Sequence, residues 1–69
     1  MALGENVKKA REHAGLTQVD LAKRLQASQR TITEIETGRR EPSVRTLKKI
    51  ALALGTTIQE LFYTEEKVA

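Results

Sequence analysis

Gln29, Arg30, Thr33 and Glu34 alternate with Ile32 and Ile35 so that, on a helix, the isoleucines form an inward stripe and the four polar side chains stay outside, with Thr37 one turn further on. These side chains suit the planar edges of nucleic-acid bases. A glutamine amide matches adenine N6 and N7, and an arginine fork matches guanine O6 and N7. A carboxylate accepts from cytosine N4, and a threonine offers a hydroxyl or a methyl to thymine. Catalytic chemistry has no such set of residues. The chain has no cysteine, and its one histidine, His13, has no second ligand at metal spacing and reads as a surface residue near a helix end. No Ser–His–acid grouping, glycine-rich phosphate loop or carboxylate pair beside a base occurs, so no enzyme, metal, cofactor or small-molecule ligand is expected.

Readers of this kind need elements to hold them. Leu3, Val7, Ala10 and Ala14 share one face of a helix over about residues 3 to 14, ended by Gly15. Thr17 stands three before Asp20, a capping-box pair opening a second helix over about 18 to 25, with Leu21, Ala22 and Leu25 as its apolar face. Ser28 caps a third helix over about 29 to 37, closed by Gly38. Pro42 keeps Glu41 out of the helical region, so residues 38 to 42 form a polar loop before Ser43 caps a fourth helix. Val44, Leu47, Ile50, Ala51 and Leu54 line that helix, and Gly55 ends it. Thr57 and Glu60 cap a short fifth helix carrying Ile58, Leu61 and Phe62, and residues 64 to 69 are expected to fray.

The second and third helices, joined by a very tight connection, have the layout of a helix-turn-helix. A major groove about 12 Å wide admits one helix, whose buried side holds the domain while its outer side meets base edges. Charge is compatible with that use. Residues 1 to 55 hold eleven basic and six acidic side chains, and residues 56 to 69 one basic and three acidic, within a total of +3. A basic body with an acidic tail suits a polyanion, although a net charge of this size also describes an ordinary solvated surface. Sixty-nine residues make one domain, here residues 1 to 63 plus the tail. No apolar run spans a membrane and no secretory leader is evident, so the expected location is the cytoplasm.

Gly15-Leu16-Thr17-Gln18, Leu21-Ala22, the run from Ser28 to Ile35, Glu36, Gly38, Pro42-Ser43 and Leu47 together resemble the phage repressor, Cro and Xre family, through Leu61-Phe62. The resemblance implies an all-α, five-helix, lambda-repressor-like fold that binds double-stranded DNA. It implies that Gln29, Arg30, Thr33 and Glu34 face bases, and that Gln18, at the start of helix 2, meets a phosphate and braces the first reader. Ser28, Thr37, Arg39, Arg40, Ser43 and Arg45 are then the other phosphate contacts, with Ser43 readable equally as a plain N-cap. Glu34 has three uses open to it: a cytosine contact, a pair with Arg30, or solvent. Arg11 and Glu36 match positions that form a partly buried ion pair between helices 1 and 3.

Two residues depart from the family pattern. Gln26 stands in the turn where the family usually has glycine, which implies either a strained turn, at a cost of about 1 kcal/mol, or a different turn geometry. Val19 replaces a residue that is often charged. Related proteins bind paired half-sites, so a homodimer is expected, with Leu54, Ile58, Leu61, Phe62 and Tyr63 as its interface, unless Leu61 or Phe62 closes the monomer core instead. The same residues also admit an antitoxin, an N-terminal piece of a larger regulator, or a protein-interaction adaptor.

Overall fold

The apolar spacing becomes five helices in the computed structural model: α1 (Leu3–His13), α2 (Gln18–Leu25), α3 (Gln29–Glu36), α4 (Val44–Leu54) and α5 (Ile58–Tyr63). The structure describes residues 3 to 63, without the side chain of Tyr63; the tail expected at 64 to 69 lies outside them. Helices α2 and α3 pack on each other, α1 lies against α3 and α5, and α4 lies against α2 and α5.

The starts of the helices follow from side-chain capping. Thr17 and Asp20 form the complete box: the Thr17 hydroxyl accepts from Asp20 N–H at 3.0 Å, and the Asp20 carboxylate accepts from Thr17 N–H at 2.9 Å. Ser28, Ser43 and Thr57 each accept the N–H three residues on.

The ends of α1 to α4 share one device. In each, one residue just past the helix (Gly15, Gln26, Gly38 or Gly55) bonds back across three residues and its successor across five, as in Gln26 N–H to Lys23 O and Ala27 N–H to Ala22 O, at 3.1 and 2.9 Å. This turn needs a positive φ. Glycine supplies it in three cases, whereas Gln26 adopts φ 58°, ψ 43° between α2 and α3. The turn therefore keeps the left-handed geometry and carries the strain, which decides between the two alternatives that the sequence left open.

The core takes one fully enclosed side chain from each helix: Val7, Leu21, Ile32, Ile50 and Leu61. At about 1.5–3 kcal/mol for each side chain of this kind, these five offset only a part of the chain's ordering entropy of about 1–2 kcal/mol per residue, and the rest of the apolar core must add to them. Two expectations need correction. Val44 is 65% exposed, because it is the first residue of α4 and the inner stripe begins at Leu47. Ala14 is exposed because α1 ends at His13 and Ala14 already belongs to the turn leading to Gly15.

Two features of α1 were not anticipated. Gly4 packs against the end of α3 so closely that a Cβ there would lie 2.5 Å from Ile35 O and 2.7 Å from Glu36 O. Asn6 is buried, and its amide donates to Leu61 O at 2.6 Å and Phe62 O at 3.3 Å, which fastens α5 to α1. Arg24 adds a bond from α2 to Ala53 O of α4 at 3.1 Å.

Candidate nucleic-acid interface

The site is built outward from the buried pair that joins α1 to α3. Arg11 Nε donates to Glu36 Oε2 at 2.7 Å and Nη2 to Oε1 at 3.2 Å, while Nη1 donates to Leu16 O at 2.8 Å. The two side chains are 9% and 3% exposed, and the bonds to Glu36 push the Arg11 guanidinium above its ordinary value. The predicted partners are thus brought together, and Arg11 also holds the turn that leads into α2.

Glu36 has a third contact. Gln18 Nε2 donates to Glu36 Oε1 at 3.0 Å. A carboxylate can only accept, so this bond fixes which end of the Gln18 amide faces inward. Its Oε1 is left facing α3, where it accepts from Gln29 Nε2 at 3.3 Å and from Thr33 Oγ1 at 3.0 Å. Gln29 is exposed, and with one N–H held by Gln18 it keeps a second N–H and its carbonyl for an outside partner. That remaining donor–acceptor pair is the one adenine would meet.

Glu34 takes one of its three options in this structure and extends it. Its Oε2 accepts from Arg30 Nε at 3.0 Å, and its Oε1 accepts from Arg40 Nε at 3.0 Å and Nη2 at 2.8 Å. Arg40, ahead of Arg30, holds the Glu34 carboxyl below the ordinary glutamate range. Arg30 remains 86% exposed on its side chain and Arg40 53%.

The hydroxyls of the expected phosphate set are already engaged. Ser28 and Ser43 are N-caps that also bond to the hydroxyls of Thr31 and Thr46. Thr37 spends its hydroxyl proton on Thr33 O at 2.9 Å, so donation to a phosphate requires that side chain to turn. Arg39 and Arg45 are exposed, and neither forms an ion pair among the described residues. They are the free cations of the loop and of the first turn of α4.

Of the residues expected at a dimer interface, Leu61 is corrected. It is fully buried, held in the core beside the Asn6 bond, and presents no surface. Leu54 and Ile58 are half-buried against the core, Phe62 is 37% exposed, and the Tyr63 side chain lies outside the described residues. Val19 at 42% and Leu52 at 81% are exposed apolar side chains that the sequence reading did not assign to an interface. Among the described residues no three metal-ligating side chains converge, and no helix is long and apolar enough to cross a membrane.

Comparison with known proteins gives a consistent picture. A helix-turn-helix family model matches residues 7–61. The chain is 45% identical over 51 residues to an uncharacterized HTH-type transcriptional regulator of Methanocaldococcus jannaschii, covering 74% of this chain and 77% of the relative. It is 36% identical over 61 residues to the immunity repressor protein of Bacillus phage phi105, covering 88% of this chain and 42% of that protein. Its fold matches the crystal structure of the clp gene regulator ClgR from Corynebacterium glutamicum with a TM-score of 0.87 at 30% identity, over 99% of this chain and 88% of that one. The hydroxypropylphosphonic acid epoxidase of S. wedmorenis has the same fold in 32% of its chain, with a TM-score of 0.82 at 31% identity over 87% of this chain. The chain thus spans under half of the repressor and about a third of the epoxidase.

Proposed function

Because this chain belongs to the phage-repressor and Xre type of helix-turn-helix transcriptional regulators, we propose that it binds double-stranded DNA sequence-specifically, as a homodimer on a palindromic operator, and acts as a repressor. The observation that carries the reading is the Glu36–Gln18–Gln29 chain of hydrogen bonds. It presents a glutamine of fixed amide orientation on the outer side of α3, anchored to a buried ion pair. With α3 in the major groove, Gln29 and Arg30 read adenine and guanine edges, Thr33 lies beside them, and Arg39 and Arg45 neutralise phosphates. Ser28, Ser43, Gln18 and Thr37 are the further phosphate contacts of this reading, Thr37 once its hydroxyl turns from Thr33 O.

One such module reads few base pairs, and pairing two copies across half-sites about one helical turn apart supplies the missing discrimination. The proposed contact uses the outer side of α5 and the end of α4, with Phe62, Ile58 and Leu54. Such a role sets the protein beside DNA in the cytoplasm.

The test is selection of binding sites from a random duplex pool near physiological salt, followed by a salt titration of the winner. A palindrome with half-sites about 10 base pairs apart and a steep salt slope supports the reading. Enrichment of a single half-site contradicts the dimer, and no enrichment contradicts sequence-specific binding. A second reading, a DNA-binding piece of a larger regulator, is favoured by the 42% coverage of the immunity repressor, and it expects the single half-site. An adaptor expects no binding at all.

A further inference from the structure

Glu34 is the one acidic side chain among the residues expected to face bases, and it holds two cations, Arg30 from that set and Arg40 from the expected phosphate contacts. Its carboxylate has both oxygens occupied by guanidinium groups, from Arg30 on its own helix and from Arg40 across the loop. The Glu34 side chain is 21% exposed, against 86% for Arg30 and 53% for Arg40, so the carboxylate lies beneath the groups it binds. The arrangement is also fixed by the main chain. Arg39 N–H and Arg40 N–H both donate to Glu34 O, at 2.8 and 3.1 Å, in the turn that ends α3. Arg40 is thus tied to Glu34 through backbone and side chain together, which distinguishes it from an exposed ion pair between two freely moving side chains.

We propose that Glu34 is a specificity-determining residue, which holds Arg30 and Arg40 off a generic phosphate backbone and releases them only to a site that offers Glu34 a donor of its own. The proposal rests on the DNA-binding reading above and deepens it. On an arbitrary duplex, moving both arginines to phosphates leaves a half-covered carboxylate unpaired against a polyanion. Like charges at that range repel, and the two bonded cations are lost together. The only donors that a major groove presents to a carboxylate are the exocyclic amines, cytosine N4 and adenine N6. A duplex that places one of these under Glu34 replaces what the carboxylate loses, and any other duplex does not. Glu34 therefore raises the ratio of specific to random binding by weakening the random term.

The experiment compares the whole chain with its Glu34→Gln and Glu41→Gln variants on two labelled duplexes, one of selected and one of random sequence, across a salt series. Glu41 lies next to Arg40, is exposed and forms no ion pair among the described residues, so Glu41→Gln removes the same charge without touching the arginines. Glu34→Gln should bind random duplex about tenfold tighter, and its specific-to-random ratio should fall by about as much, the scale of one base-pair contact. Its salt slope on random DNA should steepen by about 1.8, for two added phosphate contacts at about 0.9 each. Glu41→Gln should leave the ratio within about twofold, as expected of a loop charge that reads no base. Equal shifts in the two variants would reduce the effect to net charge and overturn the proposal, as would a Glu34→Gln ratio equal to that of the parent. A parent chain that binds neither duplex would instead overturn the DNA-binding reading itself.

Discussion

Gln18 and Glu36 come from different helices and share a 3.0 Å hydrogen bond in which the carboxylate decides the orientation of the amide. Through it, the buried charge pair of the scaffold is continuous with the exposed polar side of α3. On the proposed DNA-binding reading, stability and recognition are therefore coupled at Glu36.

Arg11→Ala removes one half of that pair and leaves Glu36 buried with a single amide donor. The expected loss is about 3–5 kcal/mol in urea unfolding. Combined with Glu36→Leu, the loss should be well below the sum of the two single variants, because no charge is then left unpaired. Additive losses would show that the pair is not coupled in solution.

Two backbone positions should respond with opposite signs. Gln26→Gly relieves a left-handed residue, and after the added unfolded-state entropy of glycine it should stabilise by about 0.5–1 kcal/mol. In a domain of this size that raises the melting temperature by several degrees. Gly4→Ala drives a Cβ into the carbonyls of Ile35 and Glu36, and should destabilise by about 1–3 kcal/mol. Calorimetry on the two variants checks both signs.

Base and phosphate roles separate by substitution. Gln29→Ala should cost about 1–3 kcal/mol at one base position and relax selectivity there, whereas Arg39→Ala should weaken all sequences alike and lower the salt slope by about 1. Gln18→Ala should resemble Gln29→Ala, since it frees the Gln29 amide to turn. Binding assays on single-base operator variants read all three, and a uniform loss for Gln29→Ala would remove it from the readers.

Acid should loosen the start of α2. The Thr17 N–H, followed by the Thr17 hydroxyl, holds the Asp20 carboxyl below its ordinary value. A carboxyl whose folded value lies below its unfolded value contributes stability that is fully present above the unfolded value and is lost as pH falls through the folded one. Glu34 shares this sign. Asp20→Asn should therefore flatten, though not abolish, the fall in stability between about pH 5 and about pH 2. Urea midpoints measured at stepped pH would show it, and curves that stay parallel would contradict it.

How much of this was legible depends on whether the signal was local. The bounds of α2 agree to the residue and those of α3 within one, because Thr17, Ser28 and Gly38 act on their immediate neighbours. The inward stripe of α3 was equally readable, since Ile32 and Ile35 repeat with the helix. What failed needed knowledge of the neighbouring helix. Periodicity cannot tell that the inner stripe of α4 starts at Leu47 and not at Val44, or that of two adjacent apolar residues Leu61 turns inward and Phe62 outward. Gly4 and Asn6 carried weak signals: a glycine inside a helix with no turn to make, and an amide beside Val7 on the inward side of α1. The Arg40–Glu34 bond crosses from loop to helix, and i, i+4 spacing points only to Arg30.

The Asn6 bonds to the carbonyls of Leu61 and Phe62 close the chain on itself, bringing its first and last described helices within hydrogen-bond reach. The first and last described helices therefore lie side by side, the arrangement that suits a domain to insertion within a longer chain. By the same geometry, a circularly permuted chain that joins α5 to α1 and opens in the exposed loop at Arg39 to Glu41 should retain the described helices and the bonds from Glu36 through Gln18 to Gln29.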